Sequence, residues 1–115
     1  MLLQEATGKT VKKGSSFYIK PGTKVQALVT GDDLWDLGLE VYATDCYIHS
    51  LQDDTARRPK KRYLMKNSCI VDKRLTKQWK PRGQLLQYTG EEKSPYFFRC
   101  DLIVCRWDEE CGYCN

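Results

Sequence analysis

The sequence predicts an all-β sandwich stapled by disulfides, and three observations carry that prediction. Short apolar/polar alternations of period two recur along the chain, with turn residues between them. Helical patterning is thin: the charged span from Asp53 to Arg62 has no apolar stripe at helical spacing, and Pro59 interrupts it. Six cysteines stand in 115 residues, an even set of the kind that frames small domains in oxidising compartments.

Taken in order, Phe17-Tyr18-Ile19-Lys20 is a strand signal followed by the turn pair Pro21-Gly22. Thr23 to Val29 follows, with Val25, Ala27 and Val29 set against Lys24, Gln26 and Leu28, before Thr30-Gly31-Asp32-Asp33 breaks the pattern. Leu37, Leu39, Val41 and Ala43 then fall on one face and Gly38, Glu40, Tyr42 and Thr44 on the other, running directly into Cys46. Ser50 to Lys61 is polar and charged, a loop. Tyr63 to Lys66 is a short strand ending at Asn67-Ser68-Cys69. Arg74 to Gly83 is basic and polar, loop-like around Trp79. Gly83–Tyr88 and Tyr96–Cys105 look like two arms of a hairpin joined through Thr89-Gly90-Glu91-Glu92. About seven short strands with turns between them suggest a sandwich. The length supports a single domain over residues 1–115.

A hydrophobic share of 41% suffices for a modest core and excludes a disordered segment. No run approaches the roughly 20 apolar residues of a membrane span. Met1-Leu2-Leu3-Gln4-Glu5 lacks the basic and apolar regions of a signal peptide, so the targeting segment of a secreted protein is expected outside this chain, as is any membrane attachment. The net charge of +4 is mild and the signs are interspersed, except in Arg57-Arg58-Pro59-Lys60-Lys61-Arg62. Such a run suits nucleic acid, a heparin-like polyanion or a processing protease. A solvated loop is preferred, because no second basic cluster extends it.

The cysteines are Cys46, Cys69, Cys100, Cys105, Cys111 and Cys114. Cys100 and Cys105 are five apart, so on a regular strand they face opposite sides of the sheet. Five strand residues span roughly 17 Å, and bridged Cα atoms lie within about 7 Å, so these two take different partners. Six cysteines allow 15 pairings, and spacing alone does not choose among them.

The chain resembles the C-terminal half of a zona pellucida (ZP) module, the ZP-C subdomain of egg-coat proteins, uromodulin and many matrix proteins. The likeness rests on Leu39-Glu40-Val41-Tyr42-Ala43-Thr44-Asp45-Cys46-Tyr47, on Tyr63-Leu64-Met65-Lys66-Asn67-Ser68-Cys69, and on Phe97 to Cys105 with Cys111 and Cys114. Gly14 to Tyr18 with Lys20-Pro21-Gly22-Thr23 fits the family's early strands, and Leu2, Leu3 and Ala6 would form the first. The residues after Cys46, Tyr47-Ile48-His49-Ser50, depart from the family's pattern. The resemblance implies an immunoglobulin-like β-sandwich with bridges Cys46–Cys100, Cys69–Cys114 and Cys105–Cys111. It further implies a secreted, non-enzymatic structural module polymerising with other ZP-type subunits into filaments, matrix or egg coat. The family's processing site, its propeptide and the ZP-N half are expected beyond this chain.

Other chemistries weigh less. A zinc site from Cys100, Cys105, Cys111 and Cys114 has tight Cys-x-x-Cys spacing only in Cys111-Gly112-Tyr113-Cys114. The same motif lacks a following helix to lower a redox thiol's pKa. His49, the only histidine, is expected to be a surface residue beside a structural half-cystine rather than the base of a nucleophilic pair. Asp32, Asp33, Asp53 and Asp54 sit in turn-like positions, and no phosphate loop, HExxH or GxSxG occurs. No catalytic residue, metal, cofactor or nucleic-acid partner is therefore expected. Trp35, Trp79 and Trp107 with Tyr47, Tyr96 and Tyr113 divide between core and surface; at least one of Trp35 and Trp79 is expected to be exposed for a partner. Capture of a ligand protein, or of a polyanion on Arg57, Arg58, Lys60, Lys61 and Arg62, stays as the alternative to assembly. Asn67-Ser68-Cys69 is a poor glycosylation acceptor.

Overall fold

The computed structural model describes residues 2–5, 10–12, 17–30, 34, 36–50, 60–80, 83–90, 92–106, 108–109, 111 and 113–114. Among them the strands are β1 (Leu2–Glu5), β2 (Thr10–Lys12), β3 (Phe17–Ile19), β4 (Val25–Thr30), β5 (Leu39–Ser50), β6 (Arg62–Lys66), β7 (Cys69–Ile70), β8 (Leu75–Lys80), β9 (Gly83–Tyr88) and β10 (Tyr96–Arg106). They form two five-stranded antiparallel sheets, ordered β2-β1-β4-β9-β8 and β3-β10-β5-β6-β7. The fold is an all-β sandwich.

The core lies between the sheets. Val25, Ala27 and Val29 of β4 and Leu86 and Tyr88 of β9 face Val41, Ala43, Cys46 and Ile48 of β5 and Tyr96, Phe98 and Cys100 of β10. The alternation predicted for β4 is the observed one. In β5 the buried set shifts from odd positions, Val41 and Ala43, to even ones, Cys46 and Ile48. A bulge explains the shift: Asp101 pairs with Asp45 but Leu102 pairs with Ala43, so Thr44 is the extra residue. One extra residue reverses which parity faces inward, and so keeps a twelve-residue strand buried along its length.

The bulge is held by the turn between β6 and β7. Asn67 and Ser68 both have positive φ, 50° and 67°, as the two-residue turn of a tight hairpin requires. The Ser68 N–H donates to the Thr44 carbonyl at 2.8 Å, and the Asn67 N–H donates to Asp45 Oδ1 at 3.0 Å. From the other sheet, Gln84 is fully buried and its Oε1 accepts the Ala43 N–H at 3.0 Å.

Several local expectations are corrected. β9 and β10 are not a hairpin: β9 pairs with β4 and β8, and β10 pairs with β3 and β5. Both carry a buried face, and the two faces meet across the core, with Tyr88 6.3 Å from both Tyr96 and Phe98. β3 and β4 likewise lie in different sheets, the chain crossing at Pro21-Gly22. Leu37 does not join the apolar face; it sits 71% exposed in the turn before β5, beside Gly38 with φ 76°. Trp79 lies not in a loop but in β8, an edge strand whose apolar share is too small to mark it in the sequence.

Candidate functional site

The three disulfides are Cys46–Cys100, Cys69–Cys114 and Cys105–Cys111, the pairs that the resemblance implies, with Cα–Cα distances of 4.1, 4.6 and 6.4 Å. Cys46 and Cys100 are register partners on neighbouring strands, so this bridge lies within one sheet. In antibody-type sandwiches the central disulfide joins the two sheets instead. Cys100 faces the core, whereas Cys105, five residues on, lies outside the core cluster and joins Cys111.

With the cysteines split among three bridges, the four-cysteine zinc set is not assembled. Cys105, Cys111 and Glu109 bring donor atoms within 4.8 Å of one another, but both sulfurs are tied to each other and present no thiolate. A disulfide-rich domain of this size suits an oxidising, extracellular setting. No helix among the described residues is long and apolar enough to cross a membrane.

The basic run is only partly placed: Arg57 and Arg58 lie outside the described residues, as do Trp35, Trp107, Ala6, Asp32, Asp33, Asp53 and Asp54. Lys60 and Lys61 are exposed, and Lys61 Nζ lies 4.6 Å from the Tyr47 ring. Arg62 is not a loop residue but opens β6. Its Nη2 pairs with Glu92 and donates to the Tyr88 hydroxyl at 2.6 Å; that hydroxyl donates to Glu92 Oε1 at 2.5 Å. Burial, and then the bond to Glu92, push the Tyr88 phenol well above its usual range. Lys60, Arg62, Glu92, Ile48, His49 and Tyr96 are among the residues around an open cavity of about 250 Å³.

His49 corrects the expectation of a surface histidine. It is 7% exposed and stacks on Phe97 at 5.3 Å. Tyr47 is also buried and packs on Tyr63 at 5.4 Å. Trp79 is 43% exposed, as expected of one tryptophan. It holds Tyr42 edge-on at 5.1 Å and Tyr113 at 4.9 Å, which brings the residue next to Cys114 against β8. Tyr42, expected on the open face of β5, is buried there.

Asp72 orders the approach to β8. Its carboxylate accepts from the Arg74 N–H at 3.0 Å and from Arg74 Nε and Nη2 at 3.1 and 2.8 Å. These bonds hold its pKa down to about 2. Lys77 donates from Nζ to the Ser68 carbonyl at 2.8 Å, and burial lowers its pKa.

The edges of the strand that carries Cys100 and Cys105 bear on association, and here the outer half of β10 is the part to consider. β3 covers β10 only from Tyr96 to Phe98, while β10 continues to Arg106. Among the described residues, no strand pairs with β10 on that side beyond Phe98. Ile103 and Val104 stand 37% and 55% exposed along it. The described part of β3 is three residues long against eleven in β10.

No protein-family model matches the chain, and no curated protein or solved structure matches it either.

Proposed function

We propose that this chain is a non-enzymatic, secreted structural module of ZP type, which joins neighbouring ZP-type subunits in a filament, matrix or egg coat. The open edge of β10 carries the reading. A strand that no described strand pairs with on one side beyond Phe98, and that carries exposed Ile103 and Val104, is a ready partner for another chain's strand. Natural monomers blunt such edges with Lys or Pro, and Cys100 to Cys105 contains neither. The disulfides give the edge a rigid frame, so a docking strand does not have to order its platform.

Ligand or polyanion capture is the alternative, favoured by exposed Lys60 and Lys61 near the Arg62–Glu92 cavity. Glu92 neutralises Arg62, which leaves less positive field than the sequence run suggests. Sedimentation of the purified chain over a wide concentration range separates the two. Concentration-dependent oligomers are expected. A monomer at every concentration that is retained on heparin and released by salt would refute assembly in favour of polyanion binding.

A further inference from the structure

We propose that the cavity beside Arg62 binds a compact organic monoanion, a carboxylate or sulfate ester carried on an apolar body. The inference goes beyond the assembly reading and stands whether or not the chain assembles.

The site follows from the topology of one sheet. β5 lies between β10 and β6 and runs antiparallel to both, so its end meets the start of each. Ser50 pairs with Tyr96, and Ile48 pairs with Arg62. This brings Lys60 and Arg62 from one side, and Ser94 and Pro95 from the other, around one cavity of about 250 Å³. Pockets for drug-sized ligands usually span about 300–1,000 Å³, so this one suits a single small molecule.

Its polar side offers donors. Arg62 Nη2 donates to the Tyr88 hydroxyl at 2.6 Å and pairs with Glu92. A guanidinium also donates from Nε and Nη1, and among the described residues no acceptor takes those N–H groups. Anchoring one nitrogen orients the rigid planar fork, so a ligand has less of it left to order. Lys60 and Ser94 are exposed, and their side chains have no hydrogen-bond or ionic partner among the described residues. Glu92 Oε2 has no hydrogen-bond partner either, but it is buried beside Gly90 and offers nothing to a ligand. The accessible groups that await a partner are therefore donors, two of them cationic, and charge-assisted bonds to an oxyanion are the strong kind.

Charge and shape narrow the ligand. Lys60 and Arg62 are positive and Glu92 is negative, so one negative charge brings these three to neutrality. Ile48, Pro95 and Tyr96 supply an apolar wall against which the ligand's body can pack.

Isothermal titration of the full chain with phenyl sulfate and with benzoate tests the proposal. Benzyl alcohol, which lacks the charge, and sodium sulfate, which lacks the body, are the partial probes. Saturable one-to-one binding of phenyl sulfate, of benzoate or of both is expected, about tenfold or more tighter than sodium sulfate, with none for benzyl alcohol. Failure of both organic anions to bind overturns the proposal. Sodium sulfate bound as tightly as they are overturns the apolar body, and benzyl alcohol bound as tightly overturns the anion. Lys60→Gln locates the site, because it replaces an exposed side chain without disturbing a partner. It should weaken binding about tenfold at an unchanged thermal midpoint. Lys66→Gln, the same charge change at the far end of β6, should alter binding by less than about twofold. Equal losses in the two variants would reduce the effect to net charge and overturn the site. Sedimentation reads assembly separately, so failure here leaves that reading untouched.

Discussion

Removing the disulfides one at a time should destabilise the domain in a definite order. The bridges Cys46–Cys100, Cys69–Cys114 and Cys105–Cys111 close sequence separations of 54, 45 and 6 residues. The chain-entropy relation then assigns about 4 kcal/mol to each of the two long loops and about 2 kcal/mol to the short one. Position adds to this. Cys46 and Cys100 belong to the core cluster, so replacing both with alanine leaves a small void worth about 1–2 kcal/mol more. The expected losses are therefore about 5–6 kcal/mol for the core pair, about 4 for Cys69/Cys114 and about 2 for Cys105/Cys111. Urea unfolding of the three paired Cys→Ala variants at neutral pH, without reductant, measures each difference. A domain of this kind has only about 5–15 kcal/mol in total, so the core-pair variant should be the one at risk of not folding. The reasoning fails if the Cys105/Cys111 variant loses as much as the core-pair variant, or if the core pair costs less than about 2 kcal/mol.

Asp72→Asn should lower stability by about 1–2 kcal/mol at neutral pH, since it removes charge-assisted bonds to Arg74. Because the folded Asp72 pKa lies near 2, below the usual value of about 3.9, that contribution is present above pH 4. It is lost as pH falls through 2, so the gap between parent and variant should narrow across that window; a gap constant from pH 7 to 2 contradicts it. Ser68→Gly should stabilise the protein by about 0.5–1 kcal/mol, because Ser68 holds φ at 67° where glycine bears no Cβ penalty. Thermal unfolding checks the sign, and Ser68→Val should shift the midpoint the opposite way. Gly83→Ala should cost about 1–3 kcal/mol, because a Cβ there would meet the Val29 carbonyl oxygen. A neutral result in denaturant unfolding would show that β4 and β9 can separate locally without loss.

The strands that read clearly from the sequence are those whose two faces meet different surroundings. β4 alternates because one face meets the core and the other does not. The β6–β7 turn follows from Asn67-Ser68, while most of the loop expected from Ser50 to Lys61 lies outside the described residues and Ser50 itself ends β5. β8 escaped because it is an edge strand: only Leu75 is drawn fully into the core, and the remaining residues read as a polar loop. His49 and Tyr42 were misplaced for a related reason. A period-two pattern assigns faces, yet side chains on the far face can still be buried by one another, as His49 is by Phe97 and Tyr42 by Trp79. The Cys100–Cys105 argument succeeded because it needed only strand geometry, not a neighbour's identity.

Strand pairing is the part that local pattern does not encode. Two apolar strands joined by a short polar segment fit a hairpin and a crossover between sheets equally well. The choice is made by whether their buried faces lie side by side or face each other. For β9 and β10 the rings decide it: Tyr88 must pack against Tyr96 and Phe98, and it reaches both only from the opposite sheet. The same global constraint sets the length of β10. Once β10 is long enough to bury Tyr96, Phe98 and Cys100 and still carry Cys105 to its bridge, it runs on to Arg106, past Phe98, where its pairing with the described part of β3 ends. The bridge that fixes Cys105 also holds the outer half in place. An edge that would otherwise fray is kept extended and paired to β5 as far as Arg106. That rigidity is what a strand-pairing contact needs, since fraying would return the ordering cost that association has to overcome.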